Sequence, residues 1–492
     1  MIVAIDQLSE IRKKHEKVSL AHGVFDVIHQ GHLKYLSVAK ELSDALVVSI
    51  TEDEFVNKGP GRPYFTDKIR AEMVNALKVV DYVVISPSPR ATNIIEALKP
   101  NYYVKGPDYK DRSKDITGGI VEEELEVKKH GGTIFFTEDE TYSSSTLINK
   151  FFETYSDEQK RMIDEVKSHG GMSAIHNIFD EIKKLKVSII GEPIVDTYVF
   201  CEPQGISSKS PSVSAKFIYE ENYAGGTLAI ANALSEFVDD VTLFIANGQN
   251  ELKILSKIDK RVKVCSQTFN NVKFPRKTRY IERDKSQRIF ELTEIQDRIW
   301  DTHSPKKLLD EILDADSDVS LLCDFGHGLF EGEFLERIDE ELNGFVALNS
   351  QTNSSNFGFN PYTKHQKFNY LSIDLREARV AFHDRYSDQL TLFNRLSEMC
   401  RAPISMTLGS QGSFYKRNQM VHSPAFASSV VDATGAGDMY YAMTALLESL
   451  GAKDEFIPFI GNIFAGMYTK IIGNKSVITK AQLIKALEAI LK

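Results

Sequence analysis

Cysteine is scarce: Cys201, Cys265, Cys323 and Cys400 are the only four in 492 residues. They stand far apart and at no zinc-binding spacing, which excludes a disulfide framework or zinc module and points to free thiols in a reducing compartment. Proline (15) and glycine (29) are too few for a collagen-like or Pro-rich disordered chain. Basic charge has no surplus either. Lys and Arg number 59 against 69 Asp and Glu, a net charge of −10, so no chain-wide field exists to hold a nucleic-acid backbone. Long apolar runs are also missing. The opening MIVAI meets Asp6 before it could become a signal core, and nothing approaches the roughly 18 residues of a membrane span. These absences predict a cytoplasmic protein with neither a nucleic-acid nor a membrane partner.

What is present is an ordinary globular composition, 42% hydrophobic and 26% charged, long enough for two to four domains at roughly 100–200 residues each. Strand-length apolar runs alternate with helical stretches from the start: KVSLAHG, HLKYLSVAKEL, ALVVSIT, a helix through Ile69 to Leu77, then YVVIS, NYYVKG and TIFFTE. That rhythm predicts an α/β fold with a parallel sheet and crossover helices. A Ser/Thr cluster at Ser143 is expected to cap a helix running to Phe152, closing a first domain over 1–155. Residues 156–184 are charged and carry Ile175, Ile178 and Ile182 at helical spacing, so a helical linker is expected there. A second α/β rhythm, KVSIIGE through VTLFIANG, VSLLCDFGHG, GFVALNS and ISMTLGSQG, predicts a larger domain over 185–492. NSQTNSSNFGFN at 349–360 is expected to be a polar loop.

Two short runs carry the chemistry. In HGVFDVIHQGHLKYL, a strand gives way to a glycine-containing turn, and His29 and His32 stand three apart where a helix should begin, sharing one face. Gly31 between them lets a polyphosphate approach the backbone at the positive end of the helix dipole. Such a site suits nucleotidyl transfer, which needs donors on an α-phosphate rather than covalent catalysis. Taken alone, H-x-G-H is equally what two surface histidines at a helix start look like. In VVDATGAGDMYYA, Gly435, Ala436 and Gly437 can aim N–H groups at an anion ahead of an apolar helix. Asp438 beside them could accept the proton of an attacking hydroxyl. A generic G-x-G-D is more often a capped turn.

The first run resembles the HxGH nucleotidyltransferases of the cytidylyltransferase-like superfamily, whose pattern G-x-F-D-x-x-H-x-G-H is matched by Gly23, Phe25, Asp26, His29, Gly31 and His32. KGPGRP at 58–63, Arg70, VKGPDYK at 104–110 and YSSSTLINK at 142–150 resemble the later blocks of the sugar-phosphate members. The resemblance implies a Rossmann-like domain in which His29 and His32 are catalytic. Gly23, Phe25, Asp26, Gly31, Lys58, Arg62, Arg70, Ser143, Ser144 and Ser145 would hold the nucleotide, and Lys105 the substrate. The second run resembles the signature of the ribokinase-like (PfkB) carbohydrate kinases, over roughly 185–492. It implies Asp438 as base and Thr434, Gly435, Ala436 and Gly437 as anion hole. GEPIVDTY and AGGTLAIAN imply Asp196, Gly225 and Gly226 at the sugar, and Asp374 and Glu377 fall where that family has residues indirectly linked to the metal. In the basic stretch RKTRYIERDKSQR, Arg279 and Arg283 are candidates for a substrate phosphate, though a solvated charged strand reads the same.

Together the halves resemble the bifunctional heptose 7-phosphate kinase/heptose 1-phosphate adenylyltransferases, with three departures. The domain order is reversed, Ala229 replaces an Asn usual after the Gly-Gly pair, and ALNSQTN lacks an Asp-Pro-Lys-like segment. The implied function is phosphorylation of a sugar or sugar phosphate by ATP with Mg2+, and transfer of a nucleotidyl group from ATP or CTP to a sugar 1-phosphate with release of pyrophosphate. A homo-oligomer is expected. The rivals are a polyol-phosphate cytidylyltransferase fused to a separate kinase, and a transferase carrying a non-catalytic sugar-binding or dimerisation module.

Overall fold

Ala45–Thr51, ALVVSIT, is buried along its whole length, as a strand covered on both faces must be. It is the second of five parallel strands: β1 (Val18–Gly23), β2 (Ala45–Thr51), β3 (Tyr82–Ser86), β4 (Tyr102–Lys105) and β5 (Thr133–Phe136). Their order is β3-β2-β1-β4-β5. Alternation assigns the side chains to two cores. Leu20 and Val47 join Ile94, Leu98 and Val127 on one face, while Ala21, Leu46 and Val48 join Leu36, Ala39 and Val74 on the other. The order reverses between β1 and β4, so the carboxyl end of β1 opens on a topological switch point, where open α/β sheets bind ligands. The helix Gln30–Glu41 starts there.

The computed structural model describes the 492 residues except 57–62, 107–118, 138–154, 249–251, 271, 284–286, 297–303, 354–355 and 428–429. Contacts divide it into two units, Met1–Ser156 with Ile484–Lys492, and Asp157–Leu483. The helices Asp157–Ser168 and Gly171–Ile182 therefore belong to the second unit, where a linker was expected. They bury Met162, Ile163 and Val166, and Ile175, Phe179 and Ile182, and Gln159 Nε2 donates to the Ala425 carbonyl at 2.7 Å.

In the second unit the strands are β6 (Lys186–Gly191), β7 (Pro193–Ile206), β8 (Val213–Gly226), β9 (Asp240–Gly248), β10 (Lys263–Phe269), β11 (Arg276–Glu282) and β12 (Arg288–Glu294). They continue with β13 (Val319–Asp324), β14 (Phe345–Ser350), β15 (Tyr370–Asp374), β16 (Ile404–Thr407), β17 (Ser413–Lys416) and β18 (Met420–Ser423). A nine-stranded sheet runs β10-β9-β6-β13-β14-β15-β16-β17-β18. It is parallel through β16, and β17 and β18 turn back antiparallel. A separate four-stranded sheet runs β12-β11-β7-β8. β7 is buried from Pro193 to Cys201 and exposed beyond, so the small sheet projects from the larger one. No helix among the described residues is long and apolar enough to cross a membrane.

Candidate functional site

At the end of β1, Phe25 adopts a left-handed backbone, φ 50°, uncommon for a bulky residue. That turn folds its ring back so closely that a Cβ on Gly23 would stand 3.3 Å from it. The buried ring then packs 5.3 Å from the His32 ring, so Gly23 and Phe25 position a histidine. His29 is the N-cap of the helix Gln30–Glu41, its Nδ1 accepting the Gly31 N–H at 3.1 Å. The His29 and His32 rings lie 4.0 Å apart at a helix N-terminus, the end that favours anions.

Three expected ligands of this unit do other work. Buried Asp26 accepts the amides of Tyr64 (2.8 Å) and Phe65 (3.0 Å), pinning the chain that follows 57–62. Arg70 is 0% exposed. Its guanidinium donates to the carbonyls of Phe65, Val24 and Thr51 and pairs with Asp53 at 2.6 Å. A guanidinium so surrounded organises the turn instead of meeting a phosphate. Lys105 is buried and paired with Glu123 at 2.9 Å. Glu123 in turn accepts the Tyr103 hydroxyl and the Ala91 amide, both at 2.9 Å. Beside it, burial and the Lys105 cation push His22 down to about 4, a neighbour that the motif did not include. Lys58, Arg62, Ser143, Ser144 and Ser145 lie outside the described residues.

In the second unit Gly435, φ 78°, caps the helix Ala436–Ser449. The first-turn amides of Gly435 and Gly437 have no partner among the described residues, and a Cβ on Gly437 would meet open space. Thr434 is held by Asp432, whose Oδ1 accepts its amide at 3.0 Å, and by Arg288 of β12, which donates to its hydroxyl at 3.0 Å. Asp438 stands one residue beyond the glycines. Burial pushes its carboxyl up to about 6, against a hydrogen bond from Gln351 Nε2 and the Lys277 cation.

Gln351 lies in the stretch set apart for lacking Asp-Pro-Lys, and no motif indicated it. Asn349 Oδ1, 3.0 Å away, orients its amide. Because the Gln351 bond favours the charged carboxylate, Gln351→Leu should move the acid limb of kinase activity upward from about 6. Activity is then lost at pH 6 and recovered by pH 8, as a pH profile of ADP formation would record.

The residues expected at the sugar are also more closely paired than the sequence suggests. Asp196 on β7 is buried against Arg279 of β11, and Arg279 Nε reaches Glu291 at 2.8 Å. With two carboxylates on it, Arg279 is no free cation for a substrate phosphate. It orients Asp196. Arg283 is exposed at the far end of β11. A Cβ on Gly225 would overlap the Asp196 carboxylate, and Gly226, φ 56°, turns the chain into the helix Thr227–Leu234. Gly225→Ala should cut kinase activity more than about tenfold by displacing Asp196, an overpacking cost of about 1–3 kcal/mol. Pyrophosphate release should be spared, as parallel assays would show.

Asp374 and Glu377, expected near the metal, form a capping box on the helix Leu375–Ala381. Asp374 Oδ1 accepts the Glu377 amide at 2.7 Å and Glu377 Oε2 the Asp374 amide at 2.6 Å. No group of three or more His, Cys, Asp or Glu suited to a metal occurs among the described residues. Glu377 is held well above the usual carboxylate range by burial, by Asp374 and by Asp438.

Residues 20–151 match the Cytidylyltransferase-like family model, and 366–465 the pfkB family carbohydrate kinase model. The Bifunctional protein HldE of Helicobacter pylori strain J99 is 36% identical over 159 residues, 32% of this chain and 32% of that protein. The Bifunctional protein HldE of Campylobacter concisus is 36% identical over 161 residues, with the same shares. The match thus spans about a third of the length of these curated relatives. Among solved structures, Escherichia coli phosphofructokinase-2 in complex with potassium is 11% identical, with TM-score 0.51, covering 63% of this chain and 100% of its own. The same enzyme with fructose-6-phosphate gives 10% and 0.50 at the same coverage. That likeness is one of fold. The chain joins an N-terminal cytidylyltransferase-like domain to a pfkB family carbohydrate kinase domain.

Proposed function

We propose that the chain is a bifunctional enzyme of nucleotide-sugar synthesis. Its second unit phosphorylates a sugar or sugar phosphate, heptose-like, from ATP. Its first transfers a nucleotidyl group from ATP or CTP to a sugar 1-phosphate, releasing pyrophosphate. One observation carries the kinase half: Asp438, pushed up to about 6, stands beside the unpartnered amides of Gly435 and Gly437 at a helix N-terminus. A carboxylate poised near the working pH takes the proton of the attacking hydroxyl while the amides hold the transferring phosphoryl group. Asp196, fixed by Arg279, faces the sugar hydroxyls. In the first unit, His29 and His32 stabilise charge developing on the α-phosphate.

Mg2+ would enter with ATP. Such an ion keeps most of its shell on phosphates and water and takes one or two carboxylates, which exposed Asp374 and half-buried Glu377, close enough to Asp438 to feel its charge, would supply. Held there, it would supply charge neutralisation of the phosphates. The small sheet exposes Ile206, Val213, Phe217, Phe290 and Leu292, an apolar face that supports self-association. Free, partly buried thiols suit a cytoplasmic setting.

The test is a screen of purified protein against sugars and sugar phosphates with ATP, CTP, GTP and UTP, reading ADP and pyrophosphate separately. Sugar-dependent ADP and sugar 1-phosphate-dependent pyrophosphate are both expected. Absence of ADP with every sugar would reduce the second unit to a binding module.

A further inference from the structure

His327 lies in the turn after β13, in the run DFGHG, between Gly326 (φ 71°) and Gly328 (φ 94°). Its backbone is fixed from elsewhere in the unit. The Glu192 carboxylate accepts the amides of Phe325 (2.8 Å), His327 (3.0 Å) and Leu329 (3.0 Å). The side chain is only 9% exposed, yet neither ring nitrogen has a hydrogen-bond partner among the described residues. An unsatisfied buried polar group costs stability and calls for a reason. The ring lines a small cleft with Glu192, Pro193, Phe274, Pro275 and Gln296, where the chain enters β7 and β11. The Val195 amide bonds the Pro275 carbonyl there at 2.9 Å. Asp196 and Arg279 follow on those same two strands.

Burial, with the Lys277 cation nearby, pushes His327 down to about 3, so the imidazole is neutral at working pH. A neutral imidazole offers one donor and one acceptor. That pairing complements a hydroxyl, which both gives and takes a hydrogen bond, and is a poor match for a phosphate, which only accepts. Lys277, two residues before Arg279 on β11, is close enough for its charge to act on both His327 and Asp438.

We infer that His327 is a specificity-determining residue that binds a non-reacting hydroxyl of the kinase substrate through its two ring nitrogens. The inference rests on the carbohydrate kinase reading and adds the residue that reads the polyol. It accounts for a buried histidine, unpartnered among the described residues, in a turn whose amides at Phe325, His327 and Leu329 donate to Glu192, since a site built to hydrogen-bond a hydroxyl discriminates by leaving its own polar atoms unpaired when the hydroxyl is missing.

The experiment labels the full-length protein with 15N-histidine and assigns the His327 ring by difference from His327→Gln. Ribose, mannose, fructose 6-phosphate, mannose 6-phosphate and a heptose 7-phosphate are then added in turn, with ADP formation measured on the same samples. The expected result is that those supporting ADP formation shift the ring signals of His327. His327→Leu should raise the sugar KM on the order of tenfold, leave the ATP KM unchanged, and melt at or above the wild-type temperature, because an unsatisfied polar group has been removed. A structural role would instead lower the melting temperature. ADP formation with an unmoved His327 ring, or an unchanged sugar KM in His327→Leu, overturns the inference alone. No ADP with any of the sugars overturns the kinase reading and the inference with it.

Discussion

Asp438→Asn reduces sugar-dependent ADP formation by about 100- to 10,000-fold and leaves pyrophosphate release at the wild-type rate. The substitution keeps the shape of the side chain and removes only the base. Wild-type ADP formation should itself fall away below about pH 6, where Asp438 takes up a proton. Stability moves in a definite direction too. The folded-state value lies above the ordinary 3.8, so this group contributes stability below that value and loses it as pH rises toward about 6. Asp438→Asn, neutral throughout, should therefore melt at or above the wild type at pH 7.5. A variant that phosphorylates every sugar at the wild-type rate would reduce the glycine-rich turn to a helix cap.

His32→Ala and His29→Ala show the converse, losing pyrophosphate release by about 100-fold or more with ADP formation intact. The two are not equivalent structurally. His29 also caps its helix through Nδ1, so His29→Ala carries an added cost of about 0.5–2 kcal/mol to the first unit. His32, packed on Phe25, carries no cap. His32→Ala should thus lose activity at nearly wild-type stability, and His29→Ala should lose both. Melting curves beside pyrophosphate assays separate the two effects. Wild-type nucleotidyl transfer in both variants would remove the histidines from the reaction.

The sequence made legible what is contiguous. HxGH and TGAGD each lie on one strand-turn-helix junction, so spacing alone carries their geometry, and the α/β rhythm follows from runs of buried residues such as Ala45–Thr51. What escaped depends on partners distant in the chain. Arg279 reads as a free cation until β11 pairs with β7 and brings it against Asp196, 83 residues earlier. Arg70 reads as a phosphate ligand until three carbonyls from separate turns close around it. Asp374 and Glu377 have the spacing of a capping box as much as of a metal-side pair, and the local helix makes them a cap whatever else they hold. Gln351 and His327 sit in runs that gave no sign of their own roles, and only the packing that leaves one on Asp438 and the other without a partner among the described residues marks them.

The two proposed reactions can be followed in one tube by 31P NMR. The sample contains the protein, a sugar that supports ADP formation, ATP, CTP and Mg2+. A phosphomonoester resonance should appear first. If the new phosphate is anomeric, pyrophosphate and a nucleotide-sugar diphosphate should follow. If it lies on another hydroxyl, they should follow only after sugar 1-phosphate is supplied. In Asp438→Asn the phosphomonoester should be missing while added sugar 1-phosphate still yields pyrophosphate. The contradicting result is a spectrum in which Asp438→Asn removes both products even with sugar 1-phosphate present, or in which neither depends on Asp438 or His32.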